Sequence, residues 1–355
     1  MAVTNGGSMS KAKARISVLG LLKFIASLFI IWRHMCSVIP PYDYSYPFNS
    51  SHVFVEFFLF VTGYMTFKHF RKKEFTHKSV NVKAREALSY TFRKFKIYLP
   101  YILISAALFY VVPIICREIA IGPAIKETVS DILFLTSQKL TSNVALWYIS
   151  AMFIVFPLFC LLCQTRRKYL LVMASLVFVP VYYLNHSLAF YGPESLNRVF
   201  AGLLGGVLVS ELARYLRKNW RTKTRKRLLL AIGLVSFAAS IFLIRSRIPT
   251  FIEIDNGYIY VFASFIIMLA VLFSGRTPLT KVQCRFFDYL ERISLPIYLL
   301  HLPVKILVLR VVANHAVSWK LTVIAIYLSS IMLAVAIDYI FAKIRGNQNK
   351  TRAGK

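Results

Sequence analysis

The sequence predicts an all-α membrane protein, a bundle of about ten transmembrane helices with both termini in the cytosol. Hydrophobic residues make up 57% of its 355 residues and the mean hydropathy is +0.61, whereas soluble domains average about 45–50% apolar residues. The net charge is nevertheless +30. A soluble nucleic-acid binder would account for the charge but not for the apolar excess. The 29 Phe and 20 Tyr exclude a disordered basic chain.

Apolar runs recur along the whole chain at a length that suits a bilayer, which about 20 mostly apolar residues cross as a helix. The predicted spans are 16–36, 52–69, 98–115, 143–163, 169–184, 197–213, 228–244, 257–274, 293–312 and 318–342. The short connections leave no room for a second soluble domain. We therefore expect a basic tail at 1–15, a single membrane domain at 16–342 and a second basic tail at 343–355.

The positive charge is sorted between alternate connections. Of the 44 Lys and Arg residues, 32 fall in the two tails and in the loops on the same predicted side. Only five fall in the opposite loops. An excess of Lys and Arg marks the cytoplasmic side of a membrane protein. The distribution supports an even number of spans in a plasma or bacterial inner membrane, with membrane lipids around it.

Charged residues inside spans are functional candidates because they are costly in hydrocarbon. Lys23 and His34 lie eleven residues apart in the first span, so they share one helix face about 16 Å apart along the axis. Lys23 lies toward the cytosol and His34 near the outer surface. The alternative interpretations are a lysine that snorkels to the inner headgroups and an ordinary interfacial histidine.

Glu56 starts the second span, which a short outer loop joins to the first, so Glu56 and His34 should lie at similar depth. A carboxylate beside an imidazole fixes its tautomer and raises its basicity, as in a general base. The alternative is a structural ion pair between Glu56 and Arg33.

The ninth span holds His301 between Pro296 and Pro303, which free backbone carbonyls. Lys305 and Arg310 follow toward the outside, and this pattern favours a polar cavity over a packing histidine. Arg198 could line the same cavity or anchor the sixth span at the interface.

On the cytosolic side, a basic cluster precedes the third span and favours phosphate binding beside Lys23, although topology alone would also explain it. The cluster comprises Arg93, Lys94 and Lys96, with Tyr98 next to it.

These segments, in this order, resemble the acyltransferase 3 family of membrane acyltransferases. The strongest mark is a basic residue followed ten residues later by histidine, here Lys23-Phe-Ile-Ala-Ser-Leu-Phe-Ile-Ile-Trp-Arg-His34. The other similar segments are Val55–Tyr64, Arg93–Tyr101, Leu146-Trp147-Tyr148 and Ile293–Pro303. The chain departs from the family pattern in three places, with Lys23 where Arg is commoner, Glu56 where Asp is frequent and Thr62 where Ser is usual.

The resemblance implies transfer of an acyl group, most often acetyl, from cytosolic acyl-CoA to a hydroxyl of an extracytoplasmic or lipid-linked glycan. His34, oriented by Glu56, would act as general base, and an acyl-histidine intermediate is the alternative. The donor would be bound by the basic cluster, Tyr98, Lys23 and His301. The oxyanion or acceptor candidates are Arg33, Trp147, Arg198, Lys305 and Arg310.

No metal site, no tightly bound cofactor and no nucleic-acid partner are predicted. A transporter or flippase would also use intramembrane cations, but the chain lacks two halves of matching hydropathy. A passive scaffold or receptor would leave the histidines and Glu56 inside spans unexplained.

Overall fold

The computed structural model describes residues 16–35, 37–40, 47–72, 79–115, 119–132, 143–185, 193–245, 258–313, 315 and 317–353. Within them the chain forms eleven α-helices and three short 3-10 helices. The α-helices are α1 Ser17–Arg33, α2 Phe54–Arg71, α3 Val80–Ile115, α4 Ile121–Ile132, α5 Trp147–Leu162, α6 Lys168–Asn185, α7 Pro193–Asn219, α8 Lys223–Arg245, α9 Tyr258–Ser274, α10 Arg285–Val312 and α11 Trp319–Ala353. The 3-10 helices are Asn49–Val53, Val144–Leu146 and Pro278–Lys281. The predicted tail at 1–15 lies outside the described residues.

Every one of the ten predicted spans falls on one of these helices, so the all-α class is confirmed. Within the described residues, six helices are long and apolar enough to cross a membrane. They are α3, α7, α8, α10, α11 and the continuous segment Val144–Leu162. The chain is therefore a multi-pass membrane protein. The ten-span count and the cytosolic termini remain predictions.

Three features were not predicted. Helix α4 lies in a segment that is predicted to be a loop. Its apolar residues recur at Ile121, Ile125 and Val129, but the helix is too short to be predicted as a transmembrane span. Helix α3 has 36 residues, about 54 Å at 1.5 Å per residue, so its charged first half extends beyond a hydrocarbon core of about 30 Å. Helix α11 continues to Ala353, through the predicted C-terminal tail.

Two helices organise the packing. Helix α10 contacts α1, α3 and α11, while α7 contacts α2, α5, α6 and α9. Glycines allow the closest approaches. A Cβ on Gly20 would lie 2.2 Å from the backbone oxygen of Phe287 in α10, and one on Gly63 would lie 2.1 Å from that of Leu203 in α7. Since these neighbours are backbone atoms, each helix pair requires glycine at the contact.

Candidate active site

Lys23 and His34, the two residues on one face of the first predicted span, both face α10. The Lys23 ammonium forms an ion pair with Glu291 at 2.6 Å. The His34 ring, just past the end of α1, lies 4.9 Å from the ring of His301, measured between centroids. Lys23 and His34 therefore lie on the face that α1 packs against α10. Helix α10 supplies Glu291 as the partner of Lys23 and His301 as the neighbour of His34.

The prolines of α10 free a backbone carbonyl that the rest of the bundle uses. Pro303 has no N–H to donate to Leu299, four residues earlier. The Leu299 oxygen instead accepts a hydrogen bond from the Ser105 hydroxyl of α3 at 2.7 Å. The Ser105 oxygen in turn accepts one from the Asn143 amide at 3.2 Å. This buried chain fixes α10 against α3 directly before His301.

His301 is fully buried, and its two ring nitrogens have different environments. Nδ1 lies 2.5 Å from the backbone oxygen of Tyr298. Because a carbonyl can only accept, Nδ1 carries the proton and Nε2 of the neutral ring is an acceptor. Within the described part of the chain, Nε2 has no hydrogen-bond partner. The arrangement leaves a buried imidazole lone pair beside His34, oriented by the backbone.

Cations surround the outer end of this pair of histidines. The Lys305 ammonium, one turn beyond His301, donates a hydrogen bond to the backbone oxygen of His34. Arg33 and His52 also lie close enough to interact electrostatically with the His34 ring. Arg310 lies in the last turn of α10, farther along the same helix. The sequence candidates Arg33 and Lys305 are therefore assembled around His34 by α1 and α10.

A cavity of about 390 Å³ opens beside Lys23 at the predicted cytosolic side. Cations, acids and tyrosines line it together, among them Lys23, Lys94, Tyr98, Tyr148, Glu291 and Asp338. Of the predicted basic cluster, only Lys94 and the adjacent Tyr98 reach this cavity. Arg93 stacks over Tyr90 and Lys96 over Phe92, at 5.8 and 4.9 Å from the ring centroids.

A row of rings leads from the cavity toward His34. Tyr148, which lines the cavity, packs edge-on against Tyr298 with centroids 4.9 Å apart. The Tyr298 ring lies 5.9 Å from that of His301, which is next to His34. The Tyr298 hydroxyl donates to the backbone oxygen of Ala145 at 2.7 Å, so the row is fixed to the start of the α5 segment. Packed aromatic side chains thus connect the lining of the cavity to the two histidines.

The expected contact between Glu56 and His34 is not formed, and this prediction is corrected. Both oxygens of the Glu56 carboxylate are bound by the Arg198 guanidinium of α7, one of them at 3.1 Å. Both side chains are fully buried. The guanidinium also stacks over the Trp147 ring, 4.7 Å from its centroid. Depth alone suggested His34 as the partner, but α2 packs mainly against α7, which brings Arg198 closer.

Sequence reasoning missed several residues that build the site. Glu291 falls in the loop before the ninth predicted span, where an acid among basic residues is itself a sign of a specific partner. Tyr148 and Tyr298 lie within the family-like segments but have no distinguishing chemistry in a chain with 20 Tyr. Ser105 and Asn143 carry no sequence signal, because their partners come from distant helices.

Comparison with known protein families gives one finding. Residues 16–343 match the family model described as an acyltransferase domain. No curated protein and no solved structure is significantly similar to the chain. The matched range extends from α1 into α11 and includes Lys23, His34 and His301. The chain therefore belongs to the acyltransferase 3 family of membrane acyltransferases.

Proposed function

We propose that this acyltransferase moves a short acyl group, acetyl by default, from cytosolic acyl-CoA to a hydroxyl of an extracytoplasmic or lipid-linked glycan. The observation that carries the proposal is the row of packed rings between a basic cavity and a pair of histidines. A cavity with Lys23 and Lys94 lies at one end, and the His34–His301 pair lies at the other. The arrangement suits a donor that is anionic at one end and reactive at the other.

The donor enters from the cytosol, because the excess of Lys and Arg predicts that the cavity and both termini face that side. Lys23 and Lys94 bind its phosphates, and the pantetheine arm runs up the bundle toward His34. Lys23 and His34 lie about 16 Å apart along the helix axis, a length comparable with that arm. Tyr148 and Tyr298 line the intervening region, and the thioester reaches His34.

The reaction begins when His34 removes the proton of the acceptor hydroxyl. The hydroxyl oxygen attacks the thioester carbonyl carbon, and the tetrahedral oxyanion collapses with cleavage of the carbon–sulfur bond. The departing thiolate takes the proton from His34, so the products are the O-acyl glycan and free CoA. The His301 Nε2 lone pair lies beside His34 and accepts a hydrogen bond once His34 is protonated, so it stabilises the protonated form.

The positive groups around His34 stabilise the developing oxyanion. Arg33 on α1 and Lys305 on α10 are both electrostatic neighbours of the ring. Fixed cations in a water-poor site stabilise a transition state more than they would in water. The Glu56–Arg198 pair acts at a distance, because it positions Trp147 at the start of α5 rather than contacting His34.

The test is transfer of labelled acetyl from acetyl-CoA to cell-envelope glycan by the purified chain in proteoliposomes. Lys23→Met should raise the KM for acetyl-CoA about tenfold or more, with a smaller effect on kcat. The matched control is Lys96→Met, since Lys96 stacks on Phe92 outside the cavity. An unchanged donor KM in Lys23→Met would remove Lys23 from the donor site. Absence of transfer by the wild-type chain to any glycan acceptor would reject the proposed function.

A further inference from the structure

Helix α4 has an apolar face that points away from the rest of the described structure. Ile121, Ile125 and Val129 on this face are 62, 57 and 46% exposed. They recur every four residues, and four residues advance a helix by about 400°, so the three side chains fall within about 80° of one another. Lys126, about 100° from Ile125, is exposed on a different side. The helix is therefore amphipathic, but these three apolar residues are not the ones that pack inside the protein.

A different face of α4 packs inside the protein, beside the candidate active site. Ala124 is buried in an apolar cluster with Phe109 and Tyr110 of α3. Leu302 of α10 belongs to the same cluster, and it directly follows His301 in the chain. Helix α4 is therefore held near His301, with its exposed apolar face turned outward.

The place of α4 in the chain puts this face at the membrane boundary. Helix α3 is long and apolar enough to cross a membrane and ends at Ile115, an exposed residue, and α4 begins at Ile121. At 1.5 Å per residue the 12 residues of α4 extend about 18 Å, too short to cross a hydrocarbon core of about 30 Å. A short amphipathic helix beside the end of a membrane span is placed to lie in the interface between hydrocarbon and water.

We infer that α4 is an interfacial helix, whose Ile121, Ile125 and Val129 insert into the lipid surface next to the His301 end of the site. The inference goes beyond the proposed function, because its partner is the bilayer itself and neither the acyl donor nor the acceptor. Such helices bury their apolar face about 5–10 Å into the boundary between headgroups and acyl chains and keep charged residues in water. The three sides of α4 match these surroundings, with one side on α3, the isoleucines in lipid and Lys126 toward water.

The composition of this face favours lipid over a protein partner. Its three exposed residues are two isoleucines and one valine, whereas protein–protein interfaces are enriched in Tyr, Trp, Phe, Met and Arg. Large aliphatic side chains are unfavourable in water because of the hydrophobic effect. Insertion among acyl chains removes that cost and requires no specific complementary surface.

In the first experiment, a fluorescent amino acid replaces Ile125, or Lys126 as the matched neighbour, in the full chain reconstituted in proteoliposomes. Lipid brominated in the upper part of its acyl chains quenches fluorescence in the bilayer, and iodide quenches it in water. Brominated lipid should quench the label at 125 about threefold or more strongly than the label at 126, and iodide should show the reverse order. Dominant quenching by iodide at 125 would place the face in water, and quenching by neither would place it against protein, such as a second copy. Either result overturns the inference.

The second experiment measures whether lipid contact stabilises α4. Ile125→Asp and Lys126→Asp introduce the same residue at adjacent positions, so its intrinsic effect on helix formation is matched. If Ile125 lies in lipid, Ile125→Asp places a charge at the edge of the hydrocarbon, and amide hydrogen exchange in α4 should become about tenfold faster in lipid nanodiscs, with α3 amides unchanged. Lys126→Asp should change the exchange about twofold or less. Equal exchange in the two variants would overturn the inference. The measurement needs no acyl transfer, so its outcome is independent of the proposed function.

Discussion

The α1–α10 and α2–α7 helix pairs are built alike, but they bury their ion pairs to different extents. Each has a glycine at a close approach of the two helices. The first holds the Lys23–Glu291 pair, and the second holds Glu56–Arg198 and, farther along, the partly exposed pair Arg71–Glu211. In the first pair, Lys23 and Glu291 keep 19 and 18% of their side chains exposed at the edge of a cavity. In the second, Arg198 and Glu56 are 0% exposed.

The difference in burial determines how costly it is to separate each ion pair. A partly exposed pair contributes little to stability, so either member is available to a ligand at small cost. A buried pair is costly to break, because the residue that remains is an uncompensated charge. We therefore expect the α1–α10 pair to control donor binding and the α2–α7 pair to control folding.

The largest expected effect is on the buried pair. Glu56→Gln leaves the Arg198 charge uncompensated and should lower the free energy of unfolding by about 3–5 kcal/mol. Reversible unfolding in mixed micelles measures it. The double variant Glu56→Leu with Arg198→Met removes both charges and should recover much of that loss. If Glu56→Gln were as stable as the wild type, the pair would not be the structural element described.

The next effect concerns the glycine of the same helix pair. Gly63→Leu forces a side chain into the backbone of Leu203 and should destabilise the chain by about 1–3 kcal/mol in the same assay. Gly122 of α4 is the control, because a Cβ there has no neighbour within 4 Å. Gly122→Ala should therefore leave the stability within about 0.5 kcal/mol of the wild type. A tolerated Gly63→Leu would mean that α2 and α7 are farther apart than described.

A smaller loss is expected where α10 is fixed to α3. Ser105→Ala removes the donor to the Leu299 oxygen and should cost about 1 kcal/mol, with a measurable decrease in kcat because His301 follows directly. Ser330→Ala provides the comparison, since the Ser330 hydroxyl bonds only the Ile326 oxygen of its own helix. Equal kinetic effects in the two variants would contradict a positioning role for Ser105.

The smallest effect on stability is expected at the partly exposed Lys23–Glu291 pair. Glu291→Gln should change the free energy of unfolding by about 1 kcal/mol or less. It should also lower the KM for acetyl-CoA, because Lys23 no longer has a competing carboxylate at 2.6 Å. Initial rates against donor concentration measure the change. A raised KM would indicate instead that Glu291 contacts the donor directly.

The sequence predicts the helices well and their contacts only in part. Apolar runs locate helices at all ten predicted spans, because a hydrophobic run is a local pattern. The common face of Lys23 and His34 follows from helix periodicity alone. The partner of Glu56 does not follow from periodicity. Many residues lie at the same depth in the membrane, and only the packing of α2 against α7 selects Arg198 among them. Ser105 and Glu291 depend in the same way on which helices meet.

The most direct test of the central claim is the rate of acyl transfer by His34→Ala in proteoliposomes, with acetyl-CoA binding measured in parallel. His315→Ala is the control, because His315 is exposed and lies outside the site. Loss of a general base predicts a decrease in kcat of about 100-fold or more, with donor affinity unchanged. Full transfer by His34→Ala would contradict the assignment of His34 as the base.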